Sequence, residues 1–424
     1  MTETHRRTLP AFFAALIAFA LAIAIPFCFA QPTHAYAAQT KKIVFKLNGG
    51  KQASHQKKTV KKNAKLSVKN LKSPTKLGYV FAGWYTNKKC TKKAVYLYGS
   101  KKASKRTVYA KWTPKAYPIT YTSSATVCKI TDTQNFTSMQ SMAIDAKNSR
   151  IYVAKVLSDK DYMGLYTAPL NDDGTAGDWV CIYIATDIGH CNGMTLVPQK
   201  TGTVLFLTST TGVIRLTIGE DLQATAASRR FSNYLISGLG YSTTCNQLIM
   251  RKRRASVSDK SKMPCYVCAE DGSSTRTVYL YVPSLVTVKA GVFSKTAYSC
   301  KPQKWSWQDL CYSDGYVYAV LSDSTGSGHV KRNLVLRYKT GDLSTLKNKA
   351  VIDCSDVVVD TFFTYSNPLI SGFELEGCDV ANSRLFTVAN IWSTEKDSES
   401  NSYQQDSMQL LSSSDCLEEE EQSF

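Results

Sequence analysis

Three carboxylates, Asp309, Glu374 and Glu376, sit at or just before short motifs that open β-type runs in the larger part of this 424-residue chain. Two carboxyl groups about 5 to 10 Å apart are the machinery of glycoside hydrolysis, one acting as acid and the other as base or nucleophile. The matching places in the other runs hold Gln140, His190 with Asn192, Ser237 and Gln308, so each run starts on a polar side chain. A belt of this kind equally suits binding of a polar ligand, or plain hydrogen bonding between neighbouring segments. Only two of the five places carry acids and no glycosidase signature surrounds them, which weighs against catalysis. The residues expected to contact a ligand are Gln140, His190, Asn192, Asp309, Glu374 and Glu376; no catalytic residue, metal or cofactor is expected.

His190 would need partners to hold a metal, and His34, His55 and His329 are not locally paired with it. Cys191 as a nucleophile would need an adjacent base and a third group to orient that base. Cys265 and Cys268 have the spacing of a redox motif or half a zinc site, yet they lie in a β run and no second such pair follows. Three residues apart on a strand, they face opposite sides, so any disulfide would join them to distant cysteines such as Cys245, Cys300 or Cys311.

A repeated unit must position these groups. The cue Ser141–Asp145 recurs as Gly193–Val197, Gly238–Ser242, Asp309–Ser313 and Gly377–Ala381. After a short polar turn each leads into an alternating run, starting at Arg150, Val204, Gln247, Tyr316 and Arg384, which makes five hairpins of one type. The steps between Met142, Met194, Leu239, Leu310 and Cys378 are 52, 45, 71 and 68 residues. A four-stranded propeller blade takes roughly 40 to 50 residues, so the first two steps are bare blades and the later two carry insertions. One insertion is expected at the basic stretch Arg251–Met263. The residues ahead of Met142 are left over, and would supply the outer strand that closes the ring on the last blade. The expected fold is mainly β, with five blades, or six if the step from 239 to 310 hides another.

Arg6 and Arg7 precede an apolar stretch from Ala11 to Ala30, and Ala35-Tyr36-Ala37 offers the small residues of a signal-peptidase site. Export with cleavage near Ala38 is expected, leaving no transmembrane segment; an uncleaved anchor is the rival, and Pro26 disfavours it. Loss of Cys28 with the leader leaves twelve of the 13 cysteines, an even number that permits disulfides without giving their connectivity. No Leu-Pro-x-Thr-Gly signal stands near the last residue, so covalent wall attachment is not expected.

The formal charge of +19 is confined to one block. Residues 38 to 116 hold 21 Lys and one Arg with no Asp or Glu, whereas residues from 117 onward hold 28 basic against 32 acidic. Such a field favours a polyanionic partner, and for an exported chain the nearest are anionic wall polymers or host glycans. Nucleic acid meets the same electrostatics but not the expected compartment. Lys57, Lys58, Lys61, Lys62, Lys88, Lys89, Lys92, Lys93, Lys101, Lys102, Lys105 and Arg106 are the expected polyanion contacts.

The basic block also carries specific motifs: Phe45-Lys46-Leu47-Asn48-Gly49-Gly50, then Gly78-Tyr79-Val80-Phe81-Ala82-Gly83-Trp84-Tyr85, then Tyr109-Ala110-Lys111-Trp112. Together, over residues 41 to 113, they resemble the Listeria-Bacteroides (internalin B-type) repeat. That resemblance implies a small β-grasp-like module of extracellular and envelope proteins, without catalysis, whose aromatic residues pack in its core. The absence of acids departs from the family's habit. Gln140–Asp145 with Arg150–Val153, and Gly189–Thr195, resemble the blades of secreted bacterial propellers of the helveticin J kind.

The chain therefore reads as a signal peptide at 1–37, a basic repeat module at 38–113, a linker at 114–118 and a propeller at 119–424. Its expected role is non-catalytic adhesion at the cell envelope, the module contacting anionic polymers and the propeller a glycan or protein. A carbohydrate-active enzyme and a bacteriocin-like antagonist are the alternatives.

Overall fold

The computed structural model describes residues 39–100, 102–117, 121–130, 138–157, 162–186, 188–232, 234–253, 258–288, 298–323, 332–360, 370–396 and 402–413. The expected leader, His34, His329 and Lys101 lie outside them. The described residues are mainly β, with short 3-10 turns and no α-helix. Among them, no helix is long and apolar enough to cross a membrane. Two compact units are formed, one within residues 1–75 and 81–112, the other within 76–80 and 113–424.

In the smaller unit, Val44–Lys46 runs parallel to Thr107–Pro114, and Lys65–Ser67 pairs antiparallel with Tyr96–Tyr98. Ile43, Val60, Leu66, Trp84, Leu97 and Val108 fill its core. Phe45 and Phe81 stand 5.4 and 5.1 Å from Trp84, ring centroid to centroid, so the aromatic motif residues are used for packing. The Asn-Gly-Gly turn has a steric cause: Asn48 and Gly49 take φ of 49° and 84°, and a Cβ on Gly50 would lie 2.3 Å from Trp112. Trp112 Nε1 then donates to Leu47 O at 2.9 Å, closing the module on its first turn.

The larger unit holds, among the described residues, five main sheets, four of them antiparallel with four strands and the third with five strands. Their first strands are Ser138–Asp145, Met194–Pro198, Ile236–Ser242, Ser306–Ser313 and Ile370–Ala381. Each pairs with the next strand through the hairpin marked by its cue, as in Arg150 opposite Asp145 and Arg384 opposite Ala381. The first strands pack on one another in order, and the fifth returns to the first, the arrangement of a β-propeller. An apolar cluster fills every junction. Phe386 and Val388 meet Met142 and Ile151 at the closing one, while Leu375 and Cys378 meet Cys311 and Val320 at the one before it. Tyr121–Ile130 pairs with Ser402–Ser413 as the fourth strand of the fifth sheet, so the two ends of the unit share one sheet.

Two details differ from the sequence reading. The insertion expected from Arg251 to Met263 is narrower, because both residues are buried members of strands, Gln247–Lys252 and Lys262–Ala269. The long third step instead carries the hairpin Val286–Val288 with Tyr298–Cys300, and Val351–Ile352 from the fourth step joins the third sheet by parallel pairing. In the expected linker, Lys115 Nζ donates to Cys354 O at 2.6 Å and pairs with Asp353 at 3.2 Å.

Candidate functional site

The polar residues singled out at the cues share a backbone cause: most sit in β-bulges of the first strands. In the first sheet, pairing passes from Ala154 opposite Ser141 to Lys155 opposite Met139, skipping Gln140. In the fifth it passes from Leu375 opposite Ala389 to Gly377 opposite Val388, skipping Glu376. Similar shifts bracket Ser237 and Gly238 in the third sheet, and Gln308 and Asp309 in the fourth. A bulge puts two residues against one and re-aims a side chain that alternation would bury among apolar neighbours. In the second sheet Asn192 stands just ahead of the first strand.

The re-aimed groups bridge adjacent sheets. Asn192 Nδ2 donates to Gln140 Oε1 at 3.0 Å, joining the second sheet to the first. Gln308 Nε2 donates to Glu374 Oε1 at 2.7 Å, joining the fourth to the fifth. Asn390 Nδ2 donates to Glu376 Oε1 at 3.0 Å, and Asn390 Oδ1 accepts from Met139 N at 2.8 Å, joining the fifth to the first. Between the third and fourth sheets the link is Arg251, 1% exposed, whose Nη2 donates to the carbonyls of Ser237, Trp307 and Gln308 at 2.8, 3.1 and 2.9 Å. Four of the five junctions are thus spanned by side-chain bonds among described residues; at the second to third, Gly193 closely approaches Gly238 beside the apolar cluster that includes Phe206, Leu239 and Met250.

Of the six expected ligand contacts, Gln140, Asn192, Glu374 and Glu376 are brought into this belt. His190 is exposed on the turn before the second sheet, while its neighbour Cys191 is buried, so the two are not a nucleophile and base. Burial pushes the Cys191 thiol up to about 12, the reverse of what a nucleophile needs. Asp309 is closed to solvent, and its Oδ1 accepts from Leu310 N at 2.7 Å. Burial, reinforced by nearby Cys378, holds this carboxyl well above the usual range. Asp309 therefore staples the backbone and does not face a ligand.

Asn390, Arg251 and Asp379 are bridging residues that the sequence reading passed over. Asp379 Oδ2 accepts from Ile144 N at 2.8 Å across the closing junction, and burial raises its carboxyl to about 7. The available signal was a polar residue inside an apolar β run, as at Asn390 between Ala389 and Ile391. Among the described residues no group of His, Cys, Asp and Glu is placed to hold a metal ion, and ten of the cysteines there are free thiols.

On the smaller unit, Lys57, Lys58, Lys61, Lys62, Lys88, Lys89, Lys92, Lys93, Lys102 and Lys105 are all exposed. Arg106 differs: its guanidinium donates to the carbonyls of Lys42, Ser100 and Lys102, holding backbone together.

Residues 42–111 match the model of the Listeria-Bacteroides repeat domain, a repeat found in extracellular surface proteins. No curated protein matches the chain in sequence. Solved structures similar to it include an α-L-arabinofuranosidase from Clostridium thermocellum, at 9% identity over 64% of this chain and 94% of that one, TM-score 0.36. A thermostable family-43 glycoside hydrolase matches at 10% identity over 66% and 93%, TM-score 0.38. A chain of a nidogen/laminin complex matches at 11% identity over 68% and 91%, TM-score 0.34. Likeness this low carries no chemistry from those proteins to this chain.

Proposed function

We propose that this is an exported protein that binds at the cell envelope, its β-grasp-like repeat module holding it to an anionic polymer and its five-bladed propeller presenting a binding face. The single observation that carries the tether is the module's shell of exposed lysines with no carboxylate to offset them. Lysine ammonium groups at this density attract any polyanion, and the attraction weakens as salt shortens the screening length. The parallel pairing of Val44–Lys46 with Thr107–Pro114 supports the β-grasp-like reading, and the five apolar junctions support the blade count. The polar belt favours a structural use of Glu374 and Glu376, since each already accepts from an amide of a neighbouring strand.

The experiment is co-sedimentation with purified cell walls. Deleting residues 38–116 abolishes sedimentation, and raising salt from about 0.1 M to 1 M, which cuts the screening length from about 10 to 3 Å, mimics the deletion. Unchanged sedimentation in both arms would rule the tether out.

A further inference from the structure

We propose that the ribbon made by Lys65–Ser67 and Tyr96–Tyr98 is a contact face for an acidic polysaccharide. The proposal rests on the polyanion tether and narrows its ligand. Tyr96 and Tyr98 are 40% and 44% exposed, on one face of a strand whose middle residue, Leu97, is 1% exposed in the module core. Lys65 stands opposite Tyr98 and Ser67 opposite Tyr96, and Lys65 Nζ lies 4.8 Å from the Tyr96 ring centroid. Asn63 N donates to Gly99 O at 3.1 Å, so exposed Lys61 at the end of its strand and exposed Lys62 in the turn that follows border the same ribbon. Two exposed rings, one with Lys65 beside it, thus share a ribbon bordered by Lys61 and by Lys62, whose Nζ donates to Gln39 Oε1 at 2.7 Å, in a module without a single carboxylate.

The rings select among polyanions. An ammonium is a point charge that takes phosphate, sulfate or carboxylate alike. An exposed tyrosine ring adds contact area only against a ligand with an apolar face of its own, and it does so at small entropic cost. Polyphosphate and poly(glycerol phosphate) supply charge without such faces, whereas an acidic polysaccharide supplies the C–H face of each sugar beside its charge. Residues two apart on a strand are about 6.6 Å apart, which lets one chain lie along both rings. A single-stranded nucleic acid offers flat faces too; the repeat's occurrence in extracellular surface proteins favours the sugar polymer.

The test is a titration of the full chain with hyaluronan oligosaccharides, with inorganic polyphosphate of equal charge number and with oligo-dT. Wild type is expected to prefer the polysaccharide to polyphosphate. Tyr96→Ala with Tyr98→Ala should weaken the polysaccharide about tenfold, the scale of two lost ring contacts, and leave polyphosphate unchanged; Tyr96→Phe with Tyr98→Phe should restore it. Replacing Lys61, Lys62 and Lys65 by Gln should weaken both. If the alanine pair fails to fold, the two single substitutions are read in the same way. Equal loss on both polymers, no loss on either, or a tyrosine-dependent preference for oligo-dT overturns the proposal. Binding of none of the three by wild type would remove the tether as well.

Discussion

Gln308 Nε2 donates to Glu374 Oε1 at 2.7 Å, tying the bulge of the fourth sheet to the first strand of the fifth. Glu374 is 8% exposed, so this amide replaces water that the carboxylate has lost. Gln308→Ala is expected to cost about 1 to 3 kcal/mol, because it removes a short hydrogen bond to a buried charged group. A thermal unfolding midpoint lowered by a few degrees is the expected reading, and an unchanged midpoint would show that the bond is idle.

Gly193 is fixed by its neighbour across the second junction. A Cβ there would lie 2.6 Å from Gly238 Cα, and backbone cannot rotate out of the way as a side chain can. Gly193→Ala should therefore destabilise by about 1 to 3 kcal/mol, the usual cost of overpacking. Denaturant unfolding checks it; a midpoint equal to wild type would mean that the junction yields freely.

The carboxyl of Asp379, raised to about 7 by burial, predicts a pH dependence whose sign is set by linkage. Unfolded, this group ionises near pH 4; folded, it stays neutral to about pH 7. Its contribution to stability is fully present below about pH 4 and is lost as pH rises through 7. Asp309, also raised by burial, acts in the same direction. Comparing wild type with Asp379→Asn across pH 4 to 8 isolates the effect, and the variant should gain on wild type as pH rises. Parallel pH profiles would refute the assignment.

Thiol chemistry should follow burial. Cys191 and Cys265, with thiols pushed up to about 12, and Cys268, at about 11, are expected to resist iodoacetamide at pH 8 in the folded chain. Cys245 and Cys181, partly exposed, should label first. Mass spectrometry of peptides before and after denaturation reads this directly, and rapid labelling of Cys265 in the native chain would contradict the buried placement.

Much of the fold was legible because it depends on local pattern. The five hairpins followed from alternating runs beside turn residues, and the repeat module from its Asn-Gly-Gly turn and aromatic block. The polar belt was found by position, yet its use was hidden. Nothing in Gln308-Asp309 distinguishes an amide that bridges sheets from a carboxyl sealed beneath them, since a bulge decides which way each side chain goes.

The sequence by itself determined the all-β pattern, the repeat that divides it, the resemblance of residues 41 to 113 to an extracellular module, and the confinement of positive charge to that module. These are properties of composition and of contacts between near neighbours in the chain. Only the tertiary structure decided that Asp309 is shut away, that Arg251 bridges two sheets from inside, and that Gly193 must lack a side chain. Each of these depends on a strand brought up from elsewhere in the chain: Gly193 meets Gly238, and Arg251 meets Trp307. No local pattern records such a meeting, because the partners lie 45 and 56 residues apart in the chain and come together only when neighbouring sheets pack.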